Sequence, residues 1–93
     1  MAGGSVGAEL STLRTLHTTF NQKASEAIDI KSAVDKGVHS AVWTGNYAND
    51  FRNSWQEYRK NLDHLHTALT GAAQNVRSNH NNIAEATGES DRI

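Results

Sequence analysis

Histidine is the side chain in this sequence best suited to metal binding or proton transfer, and the chain contains five of them. They are His17, His39, His64, His66 and His80. Two metal ligands on one helix need a spacing of three or four residues, because only such residues share a face. His64 and His66 are two residues apart, and the other three are isolated. The sequence therefore predicts no metal site.

Two places in the chain combine an acid with a base or a cation. Asp63 lies three residues before His66, and Asp50 lies two residues before Arg52. Acid–base catalysis would also need a pocket that positions a substrate, and long helices offer no obvious one. Cysteine is absent, which removes thiol nucleophiles, disulfides and thiolate ligands together. We therefore expect a protein that is not an enzyme and that uses no cofactor.

The charges are balanced and scattered along the chain. Nine Lys and Arg residues stand against ten Asp and Glu residues, and the formal net charge is -1. No basic stripe is present to neutralise phosphates, so we expect no nucleic-acid partner. The N-terminus has neither the charged nor the apolar region of a secretory signal peptide. If the protein is exported, we expect it to leave the cytoplasm without a cleavable signal.

Two arms with helical periodicity make up most of the chain. Apolar residues in the second arm alternate in steps of three and four, the pattern of a long amphipathic helix. This stripe comprises Ala48, Phe51, Trp55, Tyr58, Leu62, Leu65, Leu69, Ala72 and Val76, and it resumes at Ile83. The first arm carries a noisier stripe of Leu10, Leu13, His17, Phe20, Ala24, Ala27, Lys31, Val34, Val38 and Ala41, with Leu16 and Ile30 on one flank. Both arms are predicted to be helices, which the absence of proline permits.

Glycine residues separate these arms from each other and from the N-terminus. Three glycines before residue 8 indicate a flexible start, and Gly45 marks a break at mid-chain. We predict a single domain with one helix over about 8–41, a turn over about 42–46 and a second helix over about 47–85. Gly37 and Gly71 fall inside the helices and are interpreted as positions of close packing.

A short connection between two long helices favours an antiparallel hairpin. Each arm would be on the order of 50 Å long, at 1.5 Å per residue. Two helices rarely cover a whole apolar stripe, so the remaining edge should pair with another hairpin. The predicted fold is therefore all-α, a helix-turn-helix hairpin that dimerises into a four-helix bundle.

The turn carries a motif built around tryptophan and glycine. The sequence there reads Ala41-Val42-Trp43-Thr44-Gly45-Asn46-Tyr47-Ala48-Asn49-Asp50-Phe51-Arg52-Asn53-Ser54-Trp55. Gly45 permits a tight turn, Thr44 could cap the second helix through its hydroxyl, and Trp43 is large enough to fill the gap where two hairpins meet. A tryptophan that only closes its own bundle is the simpler interpretation of Trp43.

This mid-chain Trp-X-Gly, followed by Phe51 and Trp55 at helical spacing in a chain of 93 residues, resembles the WXG family of early secretory antigenic target-like proteins. The resemblance covers the whole helical part of the chain. It implies a virulence-associated bacterial protein that is made in the cytoplasm and secreted as a folded dimer by a type VII system. It also implies that Trp43, Thr44 and Gly45 belong to the surface recognised for export.

For the dimer, the resemblance implies a buried stripe shared between two hairpins. Its candidate residues are Leu10, Leu13, Phe20, Val34 and Val38 in the first arm, and Phe51, Trp55, Tyr58, Leu62, Leu65, Leu69 and Val76 in the second. The partner would be another chain of the WXG family. The secretion ATPase would bind the dimer directly or through that partner.

The C-terminal tail departs from the family's pattern. Members often carry a Tyr followed four residues later by an acid just beyond the second helix, but the corresponding positions here hold Ile83 and Thr87, with Glu85 as the nearest acid. One explanation, favoured by the resemblance, is a heterodimer in which the partner carries the signal. Otherwise the chain is a homodimer exported through a degenerate signal around residues 81–89, or the alignment of the tail is off by a few residues. The polar residues from Asn79 onward predict a fraying helix end followed by disorder.

Two other functions remain open at this point. Some members of the family are associated with membrane disruption, and an amphipathic helix can lie in a bilayer, although the polar faces here are not rich in Lys or Arg. Alternatively, the chain is a helical adaptor that is not secreted, and its Trp-X-Gly is a coincidence.

Overall fold

The protein is described by a computed structural model that covers the backbone of residues 2–93 and the side chains from residue 9 onward. Helix α1 spans Ala2–Ser40 and helix α2 spans Asn46–Ala86. The two pack antiparallel into a rod of 64 × 19 × 17 Å. The predicted all-α helical hairpin is confirmed, and the described part of the chain contains no strand.

Both helices are longer than the sequence predicted. Helix α1 begins at Ala2 rather than near residue 8, and α2 continues to Ala86. A glycine costs a helix only about 1 kcal/mol relative to alanine, so the early glycines weaken α1 without ending it. At the other end, the Thr87 N–H donates to the Ile83 carbonyl at 3.0 Å and closes the last turn of α2.

The seam between the helices is thin because small side chains dominate it. Its buried residues are Leu10, Ala24 and Ala27 in α1, and Ala48, Trp55, Ala73, His80 and Ala84 in α2. An alanine side chain buries little apolar surface, and so it contributes little hydrophobic stabilisation. The hairpin therefore brings its two backbones close together without building a large core.

The predicted stripe divides between the seam and the surface. Trp55 and Leu10 are buried, whereas Tyr58 and Leu65 stay 56% and 47% exposed. The half-buried members are Leu13, Phe20, Val34, Val38, Phe51, Leu62, Leu69 and Val76. Helix α2 also faces α1 along a neighbouring line of Arg59, His66, Ala73 and His80. The first three of these each follow an apolar residue of the stripe. The part of the apolar stripe that includes Tyr58 and Leu65 is turned to one side of the seam.

Gly45 is the residue that allows α2 to begin where it does. Its φ of 105° and ψ of -178° belong to a region that only glycine adopts readily. Gly45 is also the N-cap of α2, and no side chain caps this end of the helix. The predicted hydroxyl cap from Thr44 is therefore wrong, because the helix starts one residue after Gly45 and leaves Thr44 in the turn.

The helical glycines do not serve close packing within the hairpin. A Cβ atom placed on Gly37 or on Gly71 would meet nothing within 4 Å. Both residues are exposed, so the packing interpretation of these two positions is wrong for the hairpin.

We expect Gly45→Ala to lower the free energy of unfolding by about 1–3 kcal/mol, because a Cβ atom is strained at this φ and ψ. Gly71→Ala is the matched control, since Gly71 is helical and has open space around it. That change should raise stability by up to about 1 kcal/mol. Urea unfolding followed by circular dichroism measures both. Equal effects of the two substitutions would contradict this account of the turn.

Candidate functional site

A polar network occupies one side of the seam near the turn. The Asp35 carboxylate on α1 accepts hydrogen bonds from Trp55 Nε1 at 2.7 Å, Arg59 Nε at 2.7 Å and Arg59 Nη2 at 3.0 Å, all on α2. The hydrogen bonds from Arg59 and then from Trp55 lower the pKa of Asp35, although desolvation opposes them. The hydrogen bond with Asp35 in turn raises the pKa of Arg59. Both oxygens of Asp35 are engaged, so this acid is not free to act as a base.

A second ion pair extends this polar side along the hairpin. Lys31 Nζ on α1 donates to Asp63 Oδ1 on α2 at 2.7 Å, and this bond is the main reason that the pKa of Asp63 is lowered. Asp63 therefore bonds across the seam rather than with His66, whose Nδ1 lies 3.0 Å from the Ala24 carbonyl oxygen. These contacts define the polar side of the hairpin.

The opposite side of the hairpin is apolar and exposed. This apolar side comprises Leu16 and Ile30 from α1, and Phe51, Tyr58 and Leu65 from α2. In each helix these residues are spaced by seven or fourteen positions, which places them on the flank of the seam away from Asp35 and Asp63. Leu16 is 39% exposed and Ile30 is 51% exposed, so the α1 flank seen in the sequence also contributes open surface.

Few charges interrupt the apolar side. Lys23 and Glu26, which share its flank of α1, bond to each other with 3.1 Å between Nζ and Oε1. Small residues, Thr19 and Ala33 on α1 and Ala68 and Ala72 on α2, border the larger side chains. Small bordering side chains let another helix approach closely, as helix–helix packing requires.

Aromatic side chains continue the apolar side into the turn. The ring of Trp43 lies 5.7 Å from that of Phe51 at an angle of 44°, and Phe51 stacks on Trp55 with 6.2 Å between centroids. Arg52 Nη2 donates to the Trp43 carbonyl at 2.8 Å and ties the turn to α2. Trp43 is 39% exposed, and Tyr47 beside it is 85% exposed. The turn therefore presents aromatic surface rather than burying it.

The candidate residues of the tail end α2 and do not form a free segment. Thr87 Oγ1 donates to the Ile83 carbonyl at 2.8 Å, and the Glu85 carbonyl accepts from the Gly88 N–H at 3.3 Å. Glu85 itself is exposed and Ile83 is half-buried. The residues that follow fold back onto the hairpin, so the predicted disorder of the tail is wrong. Arg14, which sequence reasoning did not single out, bonds to Asp91 and to the Arg92 carbonyl.

The side chains that could do chemistry do not converge. No three of the described His, Asp and Glu residues lie close enough to hold a metal ion. An open groove of about 760 Å³ lies beside the turn on the polar side, with Lys36, His39 and Arg52 among its lining residues. Neither helix, over its described length, has a stretch that is long and apolar enough to cross a membrane.

The accessible surface of the hairpin is larger than that of a compact protein of the same mass. Its accessible area is 6436 Å². A compact monomer of the same mass would expose roughly 5,300 Å². The excess exceeds the roughly 800 Å² that each partner buries in a standard interface.

Comparison with models of known protein families gave no match, and no match was found among curated proteins or among solved structures.

Proposed function

We propose that this chain is a WXG-family protein that a type VII secretion system exports as half of a four-helix dimer. The observation that carries the proposal is the apolar side of the hairpin, which continues through Phe51 into the aromatic turn. An exposed apolar side of this length is typical of a surface that binds another protein. The proposed role is therefore association, as a secreted substrate or as the partner of one.

The features of the turn support this proposal. The tryptophan of the Trp-X-Gly motif is partly exposed, and its ring contacts Phe51, the next residue of the motif's helical extension. Arg52 ties the backbone of the turn to α2, and the Phe51 ring packs against the indole ring, so the exposed ring is held against α2. A fixed, exposed aromatic ring is the kind of group that anchors protein recognition.

The proposed partner is another hairpin of the same family, packed against the apolar side. A different chain is favoured, because Ile83 and Thr87 stand where the family's tail signal has a Tyr and an acid. A second copy of this chain is the alternative. The secretion ATPase would then bind either this chain or its partner, and the protein would act outside the cell or at the cell surface.

Inactivating the secretion ATPase in the producing bacterium tests the proposal. We expect the protein to disappear from the culture medium and to accumulate inside the cells. A cytoplasmic enzyme assayed in the same fractions controls for lysis, and a protein with a cleavable signal peptide controls for general secretion. Unchanged amounts of the protein in the medium would refute the proposed export route.

A further inference from the structure

The open groove on the polar side of the hairpin has the dimensions of a site for a short stretch of peptide. Its volume of about 760 Å³ lies within the range of ligand-binding sites. Its two walls are formed by Ser32, Lys36 and His39 on α1, and by Arg52, Gln56 and Arg59 on α2. Each wall is about 10 Å long, at 1.5 Å per helical residue. An extended peptide covers that length with about three residues.

The walls carry positive charges that have no acidic partner. Five of the nine Lys and Arg side chains pair with a carboxylate within the described residues. Lys36 and Arg52 form no such pair there, and both line the groove. Lys36 is exposed, and Arg52 donates from Nη2 to the Trp43 carbonyl at 2.8 Å, which leaves its other N–H groups for a ligand. Both cations can therefore bind an anion without breaking an ion pair.

The acid that lines the groove is already neutralised. Asp35 accepts hydrogen bonds from Trp55 and from both Nε and Nη2 of Arg59. Because Asp35 and Arg59 cancel each other, the lining keeps the two positive charges of Lys36 and Arg52, although the whole chain has a net charge of -1. The groove is therefore a local basic site on a slightly acidic protein.

The groove also offers apolar surface. Val38, Ala41 and Trp55 are among its lining residues. Trp55 Nε1 donates to Asp35, so the indole ring can offer a ligand only its carbon atoms. One apolar side chain of a ligand can pack on this surface while acidic groups on either side of it reach the cations.

This arrangement fits an acidic peptide better than a single inorganic anion or a nucleic acid. Lys36 and Arg52 stand on opposite walls, so they do not converge on one point. A nucleic acid gains most of its affinity from many phosphate contacts, and this groove has two cations without acidic partners. A peptide with carboxylates on neighbouring residues can reach both walls at once.

We propose that the groove binds an extended acidic peptide segment of another protein. Carboxylates of that segment bind Lys36 and Arg52, and one apolar side chain packs against Val38 and Trp55. A hairpin packed on the apolar side leaves this groove open, so the segment belongs to a further partner rather than to the other half of the dimer. The inference does not depend on the route by which the protein is secreted.

Titration of the full chain with a model peptide, followed by nuclear magnetic resonance, tests the site. The peptide is capped and has two glutamates on each side of a central leucine, and its control has glutamine in place of every glutamate. We expect the amide signals of Lys36, His39 and Gln56 to shift and those of Tyr58 and Leu65 to stay in place. The glutamine peptide should bind at least about tenfold more weakly, the scale of one charge-assisted hydrogen bond. Equal binding of the two peptides would overturn the proposal.

Lys36→Glu and Lys60→Glu separate a specific contact from net charge. Lys36 is exposed and forms no ion pair within the described residues, so its replacement should leave the hairpin folded and weaken binding about tenfold or more. Lys60 is also exposed but does not line the groove. At an ionic strength of about 0.15 M, screening over about 8 Å should limit the effect of Lys60→Glu to less than about twofold. Equal weakening by both substitutions would overturn the proposal.

Two further ligands test the class of partner. Inorganic phosphate that shifts the same amide signals at the same concentration as the peptide would indicate a site for small anions. Tighter binding of a short thymidine oligonucleotide with the same charge as the peptide would indicate a site for nucleic acid. Either result would overturn the assignment of the groove to an acidic peptide, and weaker binding of both ligands would support it.

Discussion

Replacing Tyr58 and Leu65 together by glutamate should leave the hairpin folded and abolish its association. Both side chains are about half exposed in the hairpin, so neither is needed to close the seam between α1 and α2. In a dimer packed on the apolar side, the substitutions would remove two apolar contacts and bury two carboxylates without partners. We expect affinity to fall by a factor of about 100 or more, equivalent to about 2.7 kcal/mol.

Light scattering over a concentration series measures this effect. If wild-type protein alone has twice the chain's mass of 10.1 kDa, the partner is a second copy and the variant should appear as a monomer. If wild-type protein alone is monomeric, the comparison is made with the co-purified partner chain. Circular dichroism on the same samples should show an unchanged helix content for the variant.

The control variant carries Gln56→Glu and Gln74→Glu. These exposed residues lie off the apolar side, and the double substitution adds the same two negative charges to α2. The control should associate as the wild type does. If both double variants dissociate equally, charge repulsion rather than the apolar side explains the result. If the variant at Tyr58 and Leu65 still associates with wild-type affinity, the apolar side is not the interface.

Sequence periodicity was sufficient to predict two helices and the position of the turn, because both depend on local features. The spacing of three and four is a property of one helix, and Gly45 requires only its own backbone conformation. The face that each helix turns to its neighbour is a different kind of property. It depends on how two surfaces fit, and the sequence of one helix does not contain that information.

Helix α2 illustrates the difference. Its apolar stripe is the strongest pattern in the sequence, but Tyr58 and Leu65 stay exposed. The hairpin buries only the part of the stripe that includes Trp55, together with the neighbouring line through Arg59 and Ala73. Arg59 is tolerated there because Asp35 on α1 neutralises it. Sequence patterning finds apolar residues and misses a polar residue whose partner lies 24 positions away.

The contacts that hold residues 87–93 on the hairpin were missed for the same reason. Arg14 and Asp91 are 77 residues apart, and nothing in the polar composition of the tail identifies either as half of a pair. Low hydrophobicity predicted disorder, because a segment with few apolar side chains has little surface to bury. Specific hydrogen bonds to side chains of both helices hold it instead.

The second large effect is expected at the turn, where Trp43→Ala should block export while the protein is still made. Trp43 is partly exposed and contacts Phe51 at the surface, so its removal leaves the seam residues in place. If the export machinery binds the exposed ring, the amount of the variant protein in the medium should fall at least about tenfold, which is the effect of losing one anchoring side chain. The amount inside the cells should be unchanged or higher.

Tyr47→Ala provides the matched control, because Tyr47 is an aromatic residue beside the same turn and is 85% exposed. Its loss should have little effect on export. The simpler interpretation of Trp43, that it only closes its own bundle, predicts a different result. A purely structural Trp43 would lower the unfolding free energy or the dimer affinity of the purified variant in proportion to the loss of export. If the Trp43→Ala protein is stable, associates normally and stays inside the cell, the ring acts in recognition by the export machinery. If that variant is exported normally, the Trp-X-Gly motif has no role in export.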